Sequence, residues 1–383
     1  MSWLVYVFAI LAAFFILVTI HELGHYLVAR RSGVAVLRFS IGLGRPIYKL
    51  VDKNGTEWTL GWIPIGGYVK MLDEREFEVP PDMRAQTFNA ASPPRRIAIA
   101  AAGPVANLVL SLAVFWLILV SGTSYPVANL DAPSQGSAAW EAGFAGGERI
   151  VEVDGDATPS WYDVNLALAA RLGETGSIEI TVQHHGHQAM RSIPIQSWLQ
   201  GTRDADLTRE LGLVPALAPV VDEVVEGSAA ELAGLRSGDR ISFIDGSEVH
   251  SWSELASRIA ASPGSGMAIE VVRSGTSVST VLTPTSVEGS DGALRGFAGI
   301  SVAMQEHSVR LGALAAVPAA MDKTLDAIAL TVGVVRKMIT GNVSVDNLAG
   351  PVTVAQVAGQ AMQVGWIPFL SLLAFLSISL GSI

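Results

Sequence analysis

Long apolar runs punctuate this chain, and the first of them begins at its start. Trp3 to Val28 and Ile97 to Val120 each hold the roughly 20 apolar residues that a helix needs to cross about 30 Å of hydrocarbon. A third run, Trp366 to Ile383, covers about 27 Å at the helical rise, so it reads as a span cut short. The first run lacks a basic leader and a small-residue cleavage site, which predicts a retained span and not a signal peptide. Between the first two runs, Trp58, Leu60 and Trp62 occupy alternate positions before a break at Pro64 and a turn at Gly66-Gly67. That is strand grammar, and it predicts a β-hairpin held against the membrane spans. From Val317 onward the apolar residues Met321, Leu325, Ile328, Val332, Val335 and Ile339 keep helical spacing among charged neighbours, predicting an amphipathic juxtamembrane helix.

The long segment between the second and third runs repeats itself at an offset of 91 residues. Gly136-Ser137-Ala138-Ala139 recurs as Gly227-Ser228-Ala229-Ala230, Gly147-Glu148-Arg149-Ile150 as Gly238-Asp239-Arg240-Ile241, Asp154-Gly155 as Asp245-Gly246, and Trp161 as Trp252. Two ungapped copies of this length are two copies of one domain, not a solenoid of short units. Each copy predicts a short helix ending at Ala-Gly and a strand (Ile150 to Val153; Ile241 to Ile244). An Asp-Gly turn, a second helix (Asp163 to Arg171; Glu254 to Ala261) and further strands such as Ser177 to Gln183 and Met267 to Val272 complete it.

Composition agrees with a membrane protein carrying water-exposed domains: half of the residues are hydrophobic and only 16% are charged. Arg30, Arg31, Arg38, Arg45, Lys49, Lys53, Lys70, Arg95 and Arg96 crowd the loop between the first two spans. The excess of basic residues puts that loop in the cytoplasm and the segment from Ser121 to Gly365 outside. A net charge of −10 argues against nucleic acid as a partner, and a chain without cysteine can offer a metal only His, Asp or Glu.

Chemistry concentrates in His21-Glu22-Leu23-Gly24-His25. Residues four apart share one helix face, so both imidazoles can reach one Zn²⁺ while Glu22 addresses its open position as a general base. Ionisable groups at bilayer depth are costly and usually line a functional interior. The competing reading is a helix end whose polar side chains reach for the headgroups beside Arg30 and Arg31. His184, His185 and His187 have no acid at ligand spacing and read as a solvated turn.

His21 to His25, Arg38-Phe39-Ser40-Ile41-Gly42, Pro64 to Met71, Ala102-Gly103-Pro104-Val105-Ala106-Asn107 and Asn347-Leu348-Ala349-Gly350-Pro351 together resemble the site-2 proteases, intramembrane zinc metalloproteases. The repeat resembles bacterial PDZ domains, with Leu211-Gly212-Leu213 and Ala298-Gly299-Ile300 as candidates for the peptide-binding loop in a permuted arrangement. Those glycines have a competing reading as turn formers. The resemblance implies that His21 and His25 hold zinc, that Glu22 activates water, and that an Asp in a Leu-Asp-Gly motif of the third span is the third ligand. No Asp or Glu follows Asp346, so that ligand is expected beyond Ile383 and the chain reads as a fragment, inactive as it stands. Asn107, alternatively interhelical glue, and Gly66 and Gly67 are expected near the substrate.

These readings converge on a multi-pass α-helical membrane protein with a membrane-associated β-hairpin and two external α+β PDZ-like domains. The expected boundaries are 1–30 for the first span, 31–95 for the cytoplasmic loop and hairpin, and 96–122 for the second span. The two PDZ-like copies follow at 123–219 and 220–305, then juxtamembrane helices at 306–365 and the third span from 366 to 383. The expected activity is cleavage of a single-pass membrane protein, a pre-cleaved anti-sigma factor, with signal-peptide remnants as further substrates, in the bacterial inner membrane. A membrane-tethered PDZ scaffold without catalysis is the alternative from another class. It has no need of an intact His-Glu-His set in lipid.

Overall fold

The first apolar run folds into one helix, α1 (Ser2–Arg31), which carries the His-Glu-His face near its C-terminal end. The structure, a computed structural model, describes residues 2–76, 78–202, 205–249, 251–288, 293–302, 306–343 and 350–382. The motif residues Asn347, Leu348 and Ala349, and Asp346, lie outside them. Two units divide the chain: Met1–Thr123 with Val309–Ile383, and Ser124–Ser308.

In the first unit, β1 (Val36–Val51) and β2 (Glu57–Met71) are long antiparallel strands that pair twice. Phe39 faces Trp58 on one side and Val69 on the other, while Val51 pairs with Glu57 and Pro46 with Gly61. Each strand folds back on itself, β1 around Gly42 (φ 81°) and Gly44 (φ 86°), β2 around Gly66 (φ 81°). Four segments result, in the spatial order 46–51, 57–61, 36–41, 67–71. The simple hairpin expected to turn at Gly66-Gly67 is therefore replaced by a four-segment sheet in which the first and third segments are central. Its joining turn lies instead at Asp52–Thr56, where Asp52 Oδ1 accepts from the amides of Asn54 and Thr56. Positive φ falls on Gly66 alone of that glycine pair, which left-handed backbone favours. Phe39, Trp58 and Tyr26 of α1 form an aromatic cluster that anchors the sheet to the helix. At the far end Ile47, Tyr48, Trp62 and Ile63 are exposed.

The second apolar run is α2 (Pro93–Ser121), with proline at its first positions, where the missing amide costs nothing, and Pro104 inside it. Helices α1 and α2 approach closely because Gly24 has no side chain: a Cβ there would strike the Ala102 carbonyl oxygen and Ala106.

In the second unit, β3 (Thr123–Pro126) leads into α3 (Ala138–Glu141), β4 (Arg149–Val153), β5 (Asp156–Ala157), α4 (Trp161–Ala170), β6 (Gly176–His184), β7 (His187–Ile195) and α5 (Leu207–Leu211). The second copy runs β8 (Val221–Val224), α6 (Ala229–Leu232), β9 (Arg240–Ile244), β10 (Ser247–Glu248), α7 (Trp252–Ala260), β11 (Met267–Arg273) and β12 (Thr276–Leu282). It closes with β13 (Thr285–Glu288), β14 (Leu294–Phe297), β15 (Ile300–Val302) and β16 (Glu306–Val309). The expected helices and strands of both copies form within a residue or two, and the sheet orders match: β5-β4-β6-β7 and β10-β9-β11-β12. The repeated residues do the same work in each. Ser137 and Ser228 cap α3 and α6, and Ser160 and Ser251 cap α4 and α7. Asp154 and Asp245 take left-handed turn positions, each accepting from a strand amide at Glu179 and Ala268. Ile150, Val164, Leu168 and Ile178 fill one core, and Ile241, Leu255, Ile259 and Ile269 the other. Buried Asp239 is held ionised well below the usual carboxylate range by the Arg273 guanidinium, which bonds both of its oxygens.

Gly212 and Gly299 are both left-handed and both press on the Ser of the repeat, Ser137 and Ser228. Gly212 closes α5, and the amides of Gly212 and Leu213 donate to the carbonyls of Arg209 and Thr208. The first expected peptide loop is thus a helix cap whose amides are already engaged. His184 Nδ1 bonds the Gly147 carbonyl at 3.0 Å, in keeping with a turn.

Back in the first unit, α8 (Ala316–Ile339), α9 (Pro351–Val364) and α10 (Trp366–Ser382) complete a helical bundle with α1 and α2. Among the described residues two helices, α1 and α2, are long and apolar enough to cross a membrane, and α10 is a shorter apolar helix. The packed face of α8 is Ala316, Ala320, Thr324 and Ala327, whereas Met321, Leu325, Val332 and Ile339 of the expected apolar stripe are exposed. Small residues let helices approach closely, so they took the protein-facing side and left the large apolar groups outward.

Candidate metal centre

Histidines four apart on α1 bring two ring nitrogens together: His21 Nε2 and His25 Nε2 lie 3.2 Å apart, their rings edge-on at 4.9 Å. His25 Nδ1 is bonded at 2.7 Å to the Ile99 carbonyl of α2. Because a carbonyl only accepts, Nδ1 carries the proton and Nε2 keeps its lone pair free. The other ring is met by Asn107 of α2, whose Nδ2 is 3.2 Å from His21 Nδ1. Both histidines are therefore oriented by the neighbouring helix through the nitrogen that does not face the pair.

A zinc ion bonded to both Nε2 atoms at about 2.0–2.1 Å with tetrahedral angles would hold them about 3.3 Å apart, and the observed separation fits. Space for it exists because residue 103 is glycine. A Cβ on Gly103 would overlap the Nε2 atoms of both histidines. The donor set is two neutral imidazoles, suited to zinc. Among the described residues no group of three or more ligating side chains surrounds the site.

Glu22 lies on the adjoining face of α1 and, with His25, lines a cavity of about 650 Å³. Its other walls include Tyr68, Val69 and Lys70 of the 67–71 segment, Arg38, and Ile99 and Ala100 of α2. Glu22 is turned toward the backbone amide of Val69. Segment 67–71 is the last in the spatial order of the sheet, so a sheet edge forms one side of the cavity. Arg75 holds the Asp73 carboxyl down at about 2, and Arg38 bonds Glu57 and Tyr68, so the rim stays ionised at neutral pH.

The structure brings His21, Glu22, His25, Gly67 and Asn107 into one place. Gly66 stands one residue away, against Leu43. Asn107, expected along a substrate path, is fully buried with its amide on His21. Gly212 and Gly299 belong to the other unit. Gly103 enters the sequence only as part of the Ala102 to Asn107 motif, and the structure sets it against both histidines. The Ile99 carbonyl carries no sequence signal.

Gly67 is needed for a different reason than its turn: a Cβ there would stand 2.8 Å from the Ser40 carbonyl oxygen, 2.9 Å from Val18 Cγ1 and 3.2 Å from Glu22 Cγ. Gly67→Val should therefore displace Glu22 and the strand edge while sparing the imidazoles. Cleavage is expected to fall about 100-fold, the usual cost of a 1 Å misplacement, with zinc content little changed. Parallel loss of both would mean that the sheet supports the metal site itself.

Two metal-oriented histidines, an adjacent carboxylate and a strand-edged cavity against apolar helices define a membrane metallopeptidase. Comparison with known proteins agrees. The profile of peptidase family M50 matches residues 9–383. The regulator of sigma-E protease RseP of Salmonella typhimurium is 37% identical over 387 residues, covering 98% of this chain and 85% of that one. Its counterpart from Escherichia coli K12 is 38% identical over 379 residues, covering 96% and 84%. The regulator of sigma E protease of Haemophilus influenzae is 32% identical over 392 residues, covering 100% and 87%. The chain belongs to peptidase family M50, and so is a metalloendopeptidase of the zinc-dependent site-2 type.

Proposed function

We propose that this protein hydrolyses a peptide bond of a single-pass membrane protein at the level of the bacterial inner membrane, with His21 and His25 holding Zn²⁺ and Glu22 as general base. The observation that carries this reading is the pair of converging Nε2 atoms beside Glu22 at the wall of a cavity bordered by the edge of a sheet. A third ligand of the kind the resemblance implies, the Asp of a Leu-Asp-Gly motif, completes the set. Zinc held there would polarise the scissile carbonyl and acidify the attacking water. Glu22 would accept a proton from the attacking water and return it to the departing amine. Peptide bonds inside a substrate helix are hidden by their own hydrogen bonds, so the substrate must be extended. Segment 67–71 offers it main-chain partners by strand addition, with Gly67 allowing Glu22 to lie close.

The topology that suits this chemistry places the basic loop 31–95 in the cytoplasm and α1, α2 and α10 across the bilayer. The exposed apolar tip of the sheet, Ile47, Tyr48, Trp62 and Ile63, then dips into lipid. The repeat of the second unit forms tandem PDZ-like domains on the external side, filtering substrates by the length of their external part. Relatives named for sigma-E regulation favour an anti-sigma factor, already shortened outside, as the substrate, with signal-peptide remnants as others. A scaffold without catalysis would have no use for two imidazoles aimed at one point.

The test uses full-length protein in vesicles with a shortened and an uncut single-pass anti-sigma factor. Chelation of zinc should abolish cleavage of the shortened form, zinc should restore it, and the uncut form should resist throughout. Undiminished cleavage by fully stripped protein would remove the reading.

A further inference from the structure

The hydrogen bonds around the two histidines close into a single chain with one defect. His25 Nδ1–H donates to the Ile99 carbonyl, which leaves His25 Nε2 as an acceptor. In the metal-free site, a hydrogen bond across the 3.2 Å between the rings makes His21 Nε2 the donor. His21 Nδ1 is left as an acceptor, and Asn107 Nδ2–H supplies it. The defect is Asn107 Oδ1, which is buried without a hydrogen-bond partner, on a residue with no exposed surface. A buried acceptor left unsatisfied costs about 1–3 kcal/mol.

Metal binding demands the opposite arrangement. His21 Nε2 must present its lone pair, so the ring proton must sit on Nδ1. One proton leaves Nε2 and one is taken up at Nδ1 with water as carrier, the ring remaining neutral. Nδ1–H then needs an acceptor where Nδ2–H now stands. A half-turn of the Asn107 amide about χ2 puts Oδ1 in that place.

Resting on the assignment of His21 as a ligand, we propose that Asn107 is the positioning residue of His21, its amide turning over to accept from Nδ1–H and fix the metal-binding tautomer. The side chain is built for this and not for a substrate. Asn107 is fully enclosed, and its main-chain carbonyl accepts from Ser377 Oγ of α10 at 2.7 Å, which pins that turn of α2. Asparagine suits both states, since its amide offers a donor and an acceptor at nearly the same point. An aspartate would serve only the metal-bound one.

The experiment compares the zinc affinity of full-length Asn107→Leu, Asn107→Asp and His21→Ala proteins, by chelator competition in detergent, with that of the parent. Asn107→Leu should weaken zinc 10- to 100-fold, the usual effect of removing a partner of a metal-bound imidazole. Asn107→Asp should bind at least as tightly as the parent. Nitrogen NMR of labelled histidine in the zinc-loaded parent should show His21 protonated on Nδ1. Parent-like zinc affinity in Asn107→Leu, with His21→Ala defective, would overturn the proposal and return Asn107 to packing. A weak Asn107→Asp would overturn it too, because acceptance would not be the property that matters. Unchanged affinity in His21→Ala would instead remove the ligand assignment on which it stands.

Discussion

Glu22→Gln should keep its zinc and lose hydrolysis. The substitution preserves size and leaves His21, His25 and their partners on α2 untouched, while removing the carboxylate that α1 brings to the cavity beside His25. General base catalysis contributes about 10²- to 10⁴-fold, so cleavage of a membrane-embedded substrate in vesicles should fall by at least that lower figure at equal zinc content. Normal turnover by zinc-loaded Glu22→Gln protein would mean that another group activates water.

Gly103→Ala should lose both properties together. The added methyl occupies the point toward which both Nε2 atoms are directed, and it cannot be relieved by a small shift. α2 is held against α1 at that level by the Gly24 contact with Ala102 and Ala106. Zinc content should drop to background, and hydrolysis with it, although the bundle folds because Gly103 lies within regular helix. Measured side by side, the two variants separate base from ligand geometry: Glu22→Gln holds zinc without turnover, and Gly103→Ala holds none. Zinc-replete, active Gly103→Ala protein would refute the metal site as drawn.

Much of this molecule is legible along the chain. Helical spacing alone puts His21 and His25 on one face of α1, since 3.6 residues per turn bring positions four apart into line. The tandem repeat is equally plain, because capping serines and Asp-Gly turns act within a few residues of themselves, and the same local chemistry gave the same elements twice. Local patterning served less well for the 36–71 region. Alternation in Trp58, Leu60 and Trp62 announces a strand, but whether a long strand runs straight or folds back depends on its partner's register, and Phe39 has a partner on each side.

Other features exist only between segments distant in sequence. The large apolar stripe of α8 marks a helix, yet Ala316, Ala320 and Thr324 face the protein, since the choice belongs to the helices it packs against. Gly24 looks like a free position of a motif and is in fact where two helices touch. Asn107 is 86 residues from His21, and no spacing rule connects them. The sequence by itself determined the chemistry on offer, two imidazoles and a carboxylate on one helix face within an apolar run, because side-chain identity and helical period are local. Only the tertiary structure decided which nitrogen of His25 carries the proton, what faces His21 and where the two rings leave room, because those depend on the carbonyl, amide and missing side chain that α2 brings to them from Ile99, Asn107 and Gly103.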